Sequence, residues 1–237
     1  MATKINKHKV SIIVTCFNGS KVSKHMTMVC LDHIRKFTDE GDYELIVMDP
    51  TPKYPITDDY KTLLLDKKHN AKHMVLDKDI GYTACMNLGA REAKYPILVF
   101  LQNDVFVREG WLKDMLFYIK EGWEAVFPDQ VPRHRSYITE SYKRPHDHLD
   151  SMTGGRDAGC LMITKEAFDR TGGWDEELSL LAERDFYQRM GKGGVRWTDT
   201  NKVFITHIMA GTNMQLLVED PKEYDKRMKA DGDKLNG

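Results

Sequence analysis

Short apolar runs rich in β-branched residues alternate with segments of helical period through the first half of the chain. VSIIVTCF (10–17) reads as a buried strand, and MVCLDHIRKF (28–37) as a helix with Val29, Ile34 and Phe37 near one face. ELIVMD (44–49) gives a second strand, DYKTLLLDKKHN (59–70) a helix, and HMVLD (73–77) a third strand. Gly81 opens a helix through TACMNLGAREAK (83–94), and Pro96 starts the strand ILVFL (97–101). This βαβαβαβ order predicts an α/β fold with a mostly parallel sheet covered by helices.

The helix EGWLKDMLFYIKEG (109–122) sets Trp111, Leu112, Met115, Leu116 and Ile119 on one stripe, and EAVF (124–127) follows as a strand. Residues 128–158 lose this periodicity and collect proline, histidine and charge, so they read as a long loop, of the kind that carries function in a compact domain. Order returns with the strand GCLMI (159–163), the helix KEAFDRT (165–171) and the turn GGWDEE (172–177). A helix over AERDFYQRMGK (182–192), a strand KVFIT (202–206) and a short amphipathic helix near 219–231 complete the pattern.

With 237 residues, 41% of them hydrophobic, the chain can bury a core as one large domain or two small ones. Lys and Arg total 35 against 36 Asp and Glu, so a net charge of −1 gives no general attraction to nucleic acid or anionic lipid. No apolar run approaches the roughly 18 residues of a membrane span, and the N-terminal segment lacks a secretory apolar stretch, which predicts a soluble, cytoplasmic protein. Cys16, Cys30, Cys85 and Cys160 lack CxxC spacing and read as reduced, buried thiols.

In open parallel sheets, ligands bind beyond the carboxyl ends of the strands. The polar candidates fall there: Thr15, Phe17 and Asn18 after the first strand, Asp49 at the end of the second, and Gln102, Asn103 and Asp104 at the end of the fourth. A single Asp in such a place is commonly a turn or cap residue, but several acids converging on one crevice point to chemistry. There is no GxGxxG after the first strand, no GxxxxGK[ST] and no GxSxG, which disfavours dinucleotide binding, a P-loop and a nucleophile elbow. A carboxylate at a strand end can instead hold a hard cation that neutralises a diphosphate, and Asp104 suits that task.

VSIIVTCFN, ELIVMD, GYTACMNLGAREAKYPILVFLQNDVFVREGWL, AGCLMITKEAFDRTGGWDEE and AERDFYQRM together resemble the successive blocks of the family 2 inverting glycosyltransferases, closest to their rhamnosyltransferase-like branch. The resemblance covers residues 9–127 and 157–211 and implies a GT-A fold, Rossmann-like, in a single domain over 1–211. Its nucleotide-sugar-binding half would span 9–127 and its acceptor and catalytic half 128–211, with a polar helical tail over 212–237.

Position by position, the resemblance implies that Thr15, Phe17, Asn18, Asp49, Gly81, Asn87, Gln102, Asn103 and Asp104 bind the nucleotide-sugar, with Asp49 on the base and Asp104 on the metal and diphosphate. His207 would complete a site for Mn2+ or Mg2+. The family's Glu-Asp pair falls on Ala182 and Glu183, so Glu183 takes the place of the catalytic base, with Asp185 as a competing candidate. Trp174 and Asp175 match a turn beside the acceptor, and Arg133 and Arg135 lie in the insertion that varies with the acceptor.

The expected donor is a UDP-, dTDP- or GDP-linked sugar, and the acceptor a glycan, a lipid-linked sugar or modified DNA. VPRHRSYITESYKRPHDH (131–148) carries the basic and aromatic residues that nucleic acid would need, and equally those of a solvated loop. A non-catalytic sugar-nucleotide-binding domain and a nucleotidyltransferase are the rival readings. HNAKH (69–73) reads as a surface pair of histidines, and HDHLD (146–150) as loop residues, in preference to metal sites.

Overall fold

The computed structural model describes residues 9–16, 18–39, 43–50, 53–56, 61, 70–131, 159–208, 217 and 220–236. Its strands are β1 (Val10–Thr15), β2 (Tyr43–Pro50), β3 (Ala71–Leu76), β4 (Ile97–Gln102), β5 (Val105–Phe106), β6 (Ala125–Val131), β7 (Cys160–Thr164) and β8 (Trp197–His207). The helices are α1 (Lys21–Phe37), α2 (Tyr82–Glu92), α3 (Trp111–Lys120), α4 (Lys165–Thr171), α5 (Ala182–Lys192) and α6 (Pro221–Asn236). One sheet runs in the order β3-β2-β1-β4-β7-β6-β8-β5. β1, β2, β3, β4, β6 and β8 point one way, and β7 and β5 run against them. Among the described residues no helix is long and apolar enough to cross a membrane.

Alternation along the strands divides the core into two layers. On one face Ile12, Val14, Val47, Val99, Leu101 and Met162 pack under α1 and α3 through Cys30, Leu31, Ile34, Trp111 and Met115. On the other, Ile13, Ile46, Leu98, Phe100, Leu161 and Ile163 pack under α2, α4 and α5 through Cys85, Met86, Phe168, Phe186 and Met190. Helix α2 comes so close that a Cβ on Gly89 would lie 2.5 Å from Ile13 Cγ2, so glycine sets this helix-to-sheet distance.

Helix α1 starts well before the expected 28–37 because Ser20 and Ser23 cap each other reciprocally, a box built with serine where Glu or Gln is usual. Its buried stripe is Ser23, Met26, Thr27, Cys30, Leu31 and Ile34, while Val29 and Phe37 are only half-buried. The expected 59–70 helix lies outside the described residues apart from Lys61 and Asn70, and residues 128–131, expected as loop, continue β6 to Val131 through a register shift at Pro128/Asp129. That shift is where proline fits a strand, and it lets β8 extend along β6 beyond the expected 202–206. All four cysteines are free and buried.

Candidate functional site

The sheet register brings the strand ends together: Thr15 pairs with Met48 of β2 on one side and with Gln102 of β4 on the other, and Asp49 follows directly. After Gln102 the chain turns through Asn103 and Asp104 and re-enters the sheet as β5, whose Val105 pairs with His207 of β8. The three polar residues that end β4 therefore face three different neighbours.

Asp104 meets His207. Asp104 Oδ1 lies 3.1 Å from His207 Nε2, with the two residues 1% and 4% exposed. Neither carboxylate oxygen receives an aligned hydrogen bond among the described residues. Such a buried carboxylate costs free energy unless something else neutralises it, and a cation is the group that commonly does so. The carboxylate suits Mn2+ or Mg2+, and the imidazole beside it is an acceptable ligand for the borderline cation Mn2+. No group of three or more His, Cys, Asp or Glu able to hold a metal occurs among the described residues; a cation on this pair would also take substrate phosphate oxygens. The residues present fit that role. Nearby, the Cys30 thiol donates to the Gln102 carbonyl at 3.7 Å, and burial first, then the Asp104 charge, push its pKa up so that it stays protonated.

Gly159, which sequence reasoning passed over, makes this pairing possible. Its carbonyl accepts from the Gln102 amide at 3.0 Å. A Cβ there would lie 2.8 Å from His207 Nδ1 and 3.0 Å from Val105 Cγ2. The backbone thus passes against the imidazole edge where only glycine fits; the sequence signal was the Gly that opens β7 opposite the end of β4.

Asn103 leads a second set of contacts. Its Nδ2 donates to Thr27 Oγ1 at 2.8 Å, Thr27 Oγ1 to Asn18 Oδ1 at 3.0 Å, and Asn18 Nδ2 to Asp49 Oδ1 at 3.1 Å. His73 Nε2 lies 3.1 Å from Asp49 Oδ2. Asp49 is fully buried with both oxygens engaged. His73 is correspondingly not the surface histidine expected from HNAKH: its side chain is 7% exposed, because β3 lays it in register beside β2. Thr15 Oγ1 donates to the Met86 thioether Sδ at 3.2 Å.

Gln102 reaches the helix α5. Its Nε2 donates to Glu183 Oε1 at 3.2 Å, which brings the proposed base to the same end of β4 as Asp104. Asp185 is held differently: Arg189 Nε and Nη2 donate to its Oδ2 at 2.8 and 2.5 Å, while Arg189 Nη1 holds the Thr171 and Gly173 carbonyls at 2.6 and 2.7 Å. That arrangement ties α5 to the turn after α4. Trp174 is buried and stacks on Phe186 at 4.2 Å. Asp175 pairs with Lys234 of α6.

Asn87 is committed to the same turn: its Nδ2 donates to the Trp174 carbonyl at 2.8 Å and to Glu176 at 2.9 Å, and its Oδ1 accepts from the Trp174 amide at 2.9 Å. Gly81 opens α2 at a φ of 83°, with its amide donating to Asp79 Oδ1. Phe17, Arg133 and Arg135 lie outside the described residues, as do His69 and the HDHLD segment.

The family model for glycosyl transferase family 2 matches residues 11–217. A chondroitin synthase of Escherichia coli is 29% identical over 151 residues, which is 61% of this chain and 19% of that protein. Among solved structures, residues 1–349 of S. aureus TarS superpose with a TM-score of 0.67 at 17% identity, covering 84% of this chain and 60% of that one. The chain therefore spans less than two thirds of either protein's length. The structural likeness bears out the expected GT-A-like α/β fold.

Proposed function

Because the chain belongs to glycosyl transferase family 2, we propose that it moves a hexosyl or deoxyhexosyl unit from a nucleotide-diphospho-sugar to an acceptor hydroxyl with inversion at the anomeric carbon. The observation that carries this reading is the buried Asp104 carboxylate beside His207, with no aligned donor among the described residues. Asp104 and His207 would hold Mn2+ or Mg2+, which when bound neutralises charge on the diphosphate.

Glu183 removes the acceptor proton as the acceptor oxygen bonds to the anomeric carbon and the bond to the diphosphate oxygen breaks. Gln102, donating to Glu183 Oε1, orients that carboxylate. The engagement of Asp185 by Arg189 supports Glu183 over Asp185. Asp49, wholly buried, acts through Asn18 and His73, which it holds, in place of touching the base itself. The donor is UDP-, dTDP- or GDP-linked, and the name of the E. coli relative supports a glycan acceptor.

The test is nucleoside diphosphate release from a panel of UDP-, dTDP- and GDP-sugars with Mn2+ present. One donor class should be turned over, and Glu183→Gln should bind that donor yet lose transfer. Near-normal turnover by Glu183→Gln would overturn the assignment of the base.

A further inference from the structure

We propose that α6 is a positioning element for the helix that carries Glu183, with Asp231 as the residue that fixes it; the inference rests on Glu183 being the base. Asp231 is 3% exposed although its helix is otherwise polar and largely exposed. Its Oδ2 accepts from the backbone amides of Ser179, Leu180 and Leu181 at 3.0, 2.6 and 2.9 Å. Three successive amides converging on one anionic oxygen form a nest, here filled by a carboxylate of the same chain. Leu181 is the N-cap of α5 and offers no side-chain cap, so Asp231 supplies from another helix the negative charge that an N-terminus favours.

Glu183 is the second residue of α5, one turn from the amides that Asp231 holds. Lys234, one helical turn beyond Asp231, reaches Asp175 at 2.8 Å and Glu177 at 2.5 Å. Helix α6 therefore grips the 175–181 segment at both ends, between buried Trp174 and Glu183. Arg189, further along α5, separately ties that helix to Thr171 and Gly173 and to its own Asp185. The docking by Asp231 holds the start of α5 where Glu183 meets Gln102. Helix α6 begins at Pro221, beyond residue 217 where the family match ends, so this device lies outside the matched region.

The test uses the full chain and the donor found above. Asp231→Ala should lower kcat about tenfold or more while leaving the donor KM within about twofold, since a small misplacement of the base affects the transition state and not donor binding. Asp231→Asn, which keeps an acceptor oxygen but no charge, should fall between Asp231→Ala and wild type, and Lys234→Met should lose less. Amide exchange at 179–183 should quicken in Asp231→Asn and Asp231→Ala, a readout that does not depend on which carboxylate is the base.

Unchanged kcat and exchange in these variants would overturn the proposal, as would a kcat loss matched by equal loss of donor binding and of thermal stability. Glu183→Gln measured alongside separates the two claims. If it still turns over, the base assignment has failed; if it is dead while Asp231→Ala is normal, the positioning role has failed.

Discussion

Replacing Gly159 by Ala puts a methyl group where the structure leaves none. The new Cβ would lie 2.8 Å from His207 Nδ1, 3.0 Å from Val105 Cγ2 and 3.1 Å from His207 Cε1. Val105 and His207 are both buried and face each other in the β5–β8 ladder, so the strain falls on this pair. Ordinary contact requires about 3.4 Å or more, so these groups must shift by roughly half an ångström, which disturbs the 3.1 Å approach of His207 to Asp104. Overpacking of this kind costs about 1–3 kcal/mol. Disturbing a metal ligand's orientation typically costs about 10–100-fold in metal affinity or activity.

The assay is nucleoside diphosphate release as a function of Mn2+ concentration. Gly159→Ala should need at least about tenfold more Mn2+ for half-maximal activity. Gly232→Ala is the control, because its Cβ would meet nothing within 4 Å in the helix α6. It should keep wild-type metal dependence and gain up to about 1 kcal/mol of stability. A Gly159→Ala enzyme with wild-type Mn2+ dependence would refute the role given to His207.

Asp104→Asn keeps the shape of the side chain and removes a buried charge that no aligned donor satisfies, so without ligand it should melt no lower than wild type while losing metal-dependent release; a large drop in Tm would mean that the carboxylate is structural. Asp185→Asn breaks a partly buried ion pair worth about 1 kcal/mol and should lower Tm by about 2–4 °C with kcat largely kept, whereas complete loss of transfer would make Asp185 the base. The hydrogen bonds that Lys234 donates to Asp175 and Glu177 keep it charged above its ordinary range, so their contribution to docking α6 is full below the usual lysine value and is lost as pH rises through the raised one. For Asp175, burial raises the pKa but the hydrogen bonds from Lys234 and the Glu177 amide outweigh it; that contribution is present above the usual carboxylate value and lost as pH falls through the lowered one. Protection of the α6 amides should accordingly be flat from about pH 5 to 10 and fall outside that window.

The alternation of apolar runs and helical stripes was enough to read the order of β1, β2, β4 and α5, because these segments bury one continuous face or two. The roles proposed for Gln102, Asp104, Glu183 and His207 rest on the family resemblance, which marks these positions in the sequence. The contacts that organise them were not. Gly159 matters through a 2.8 Å approach of its Cβ position to a ring nearly fifty residues away, and nothing in AGC encodes that distance. Asp231 sits in a run of charged residues that reads as solvated helix, and only tertiary docking buries it. HNAKH reads as a surface pair because the register that lays His73 beside Asp49 belongs to strand pairing, which local pattern does not specify. The strand β8 exceeded its apolar core because a bulge at Pro128/Asp129 lets polar residues continue the ladder.

The most direct test of the central claim is a thermal-shift titration of UDP, dTDP and GDP with and without Mn2+, on wild type, Asp104→Ala and His207→Ala. The account predicts that one nucleoside diphosphate raises the wild-type Tm only when Mn2+ is present, and that Asp104→Ala loses this shift while His207→Ala needs more metal to reach it. A metal-dependent shift of wild-type size in Asp104→Ala would contradict it.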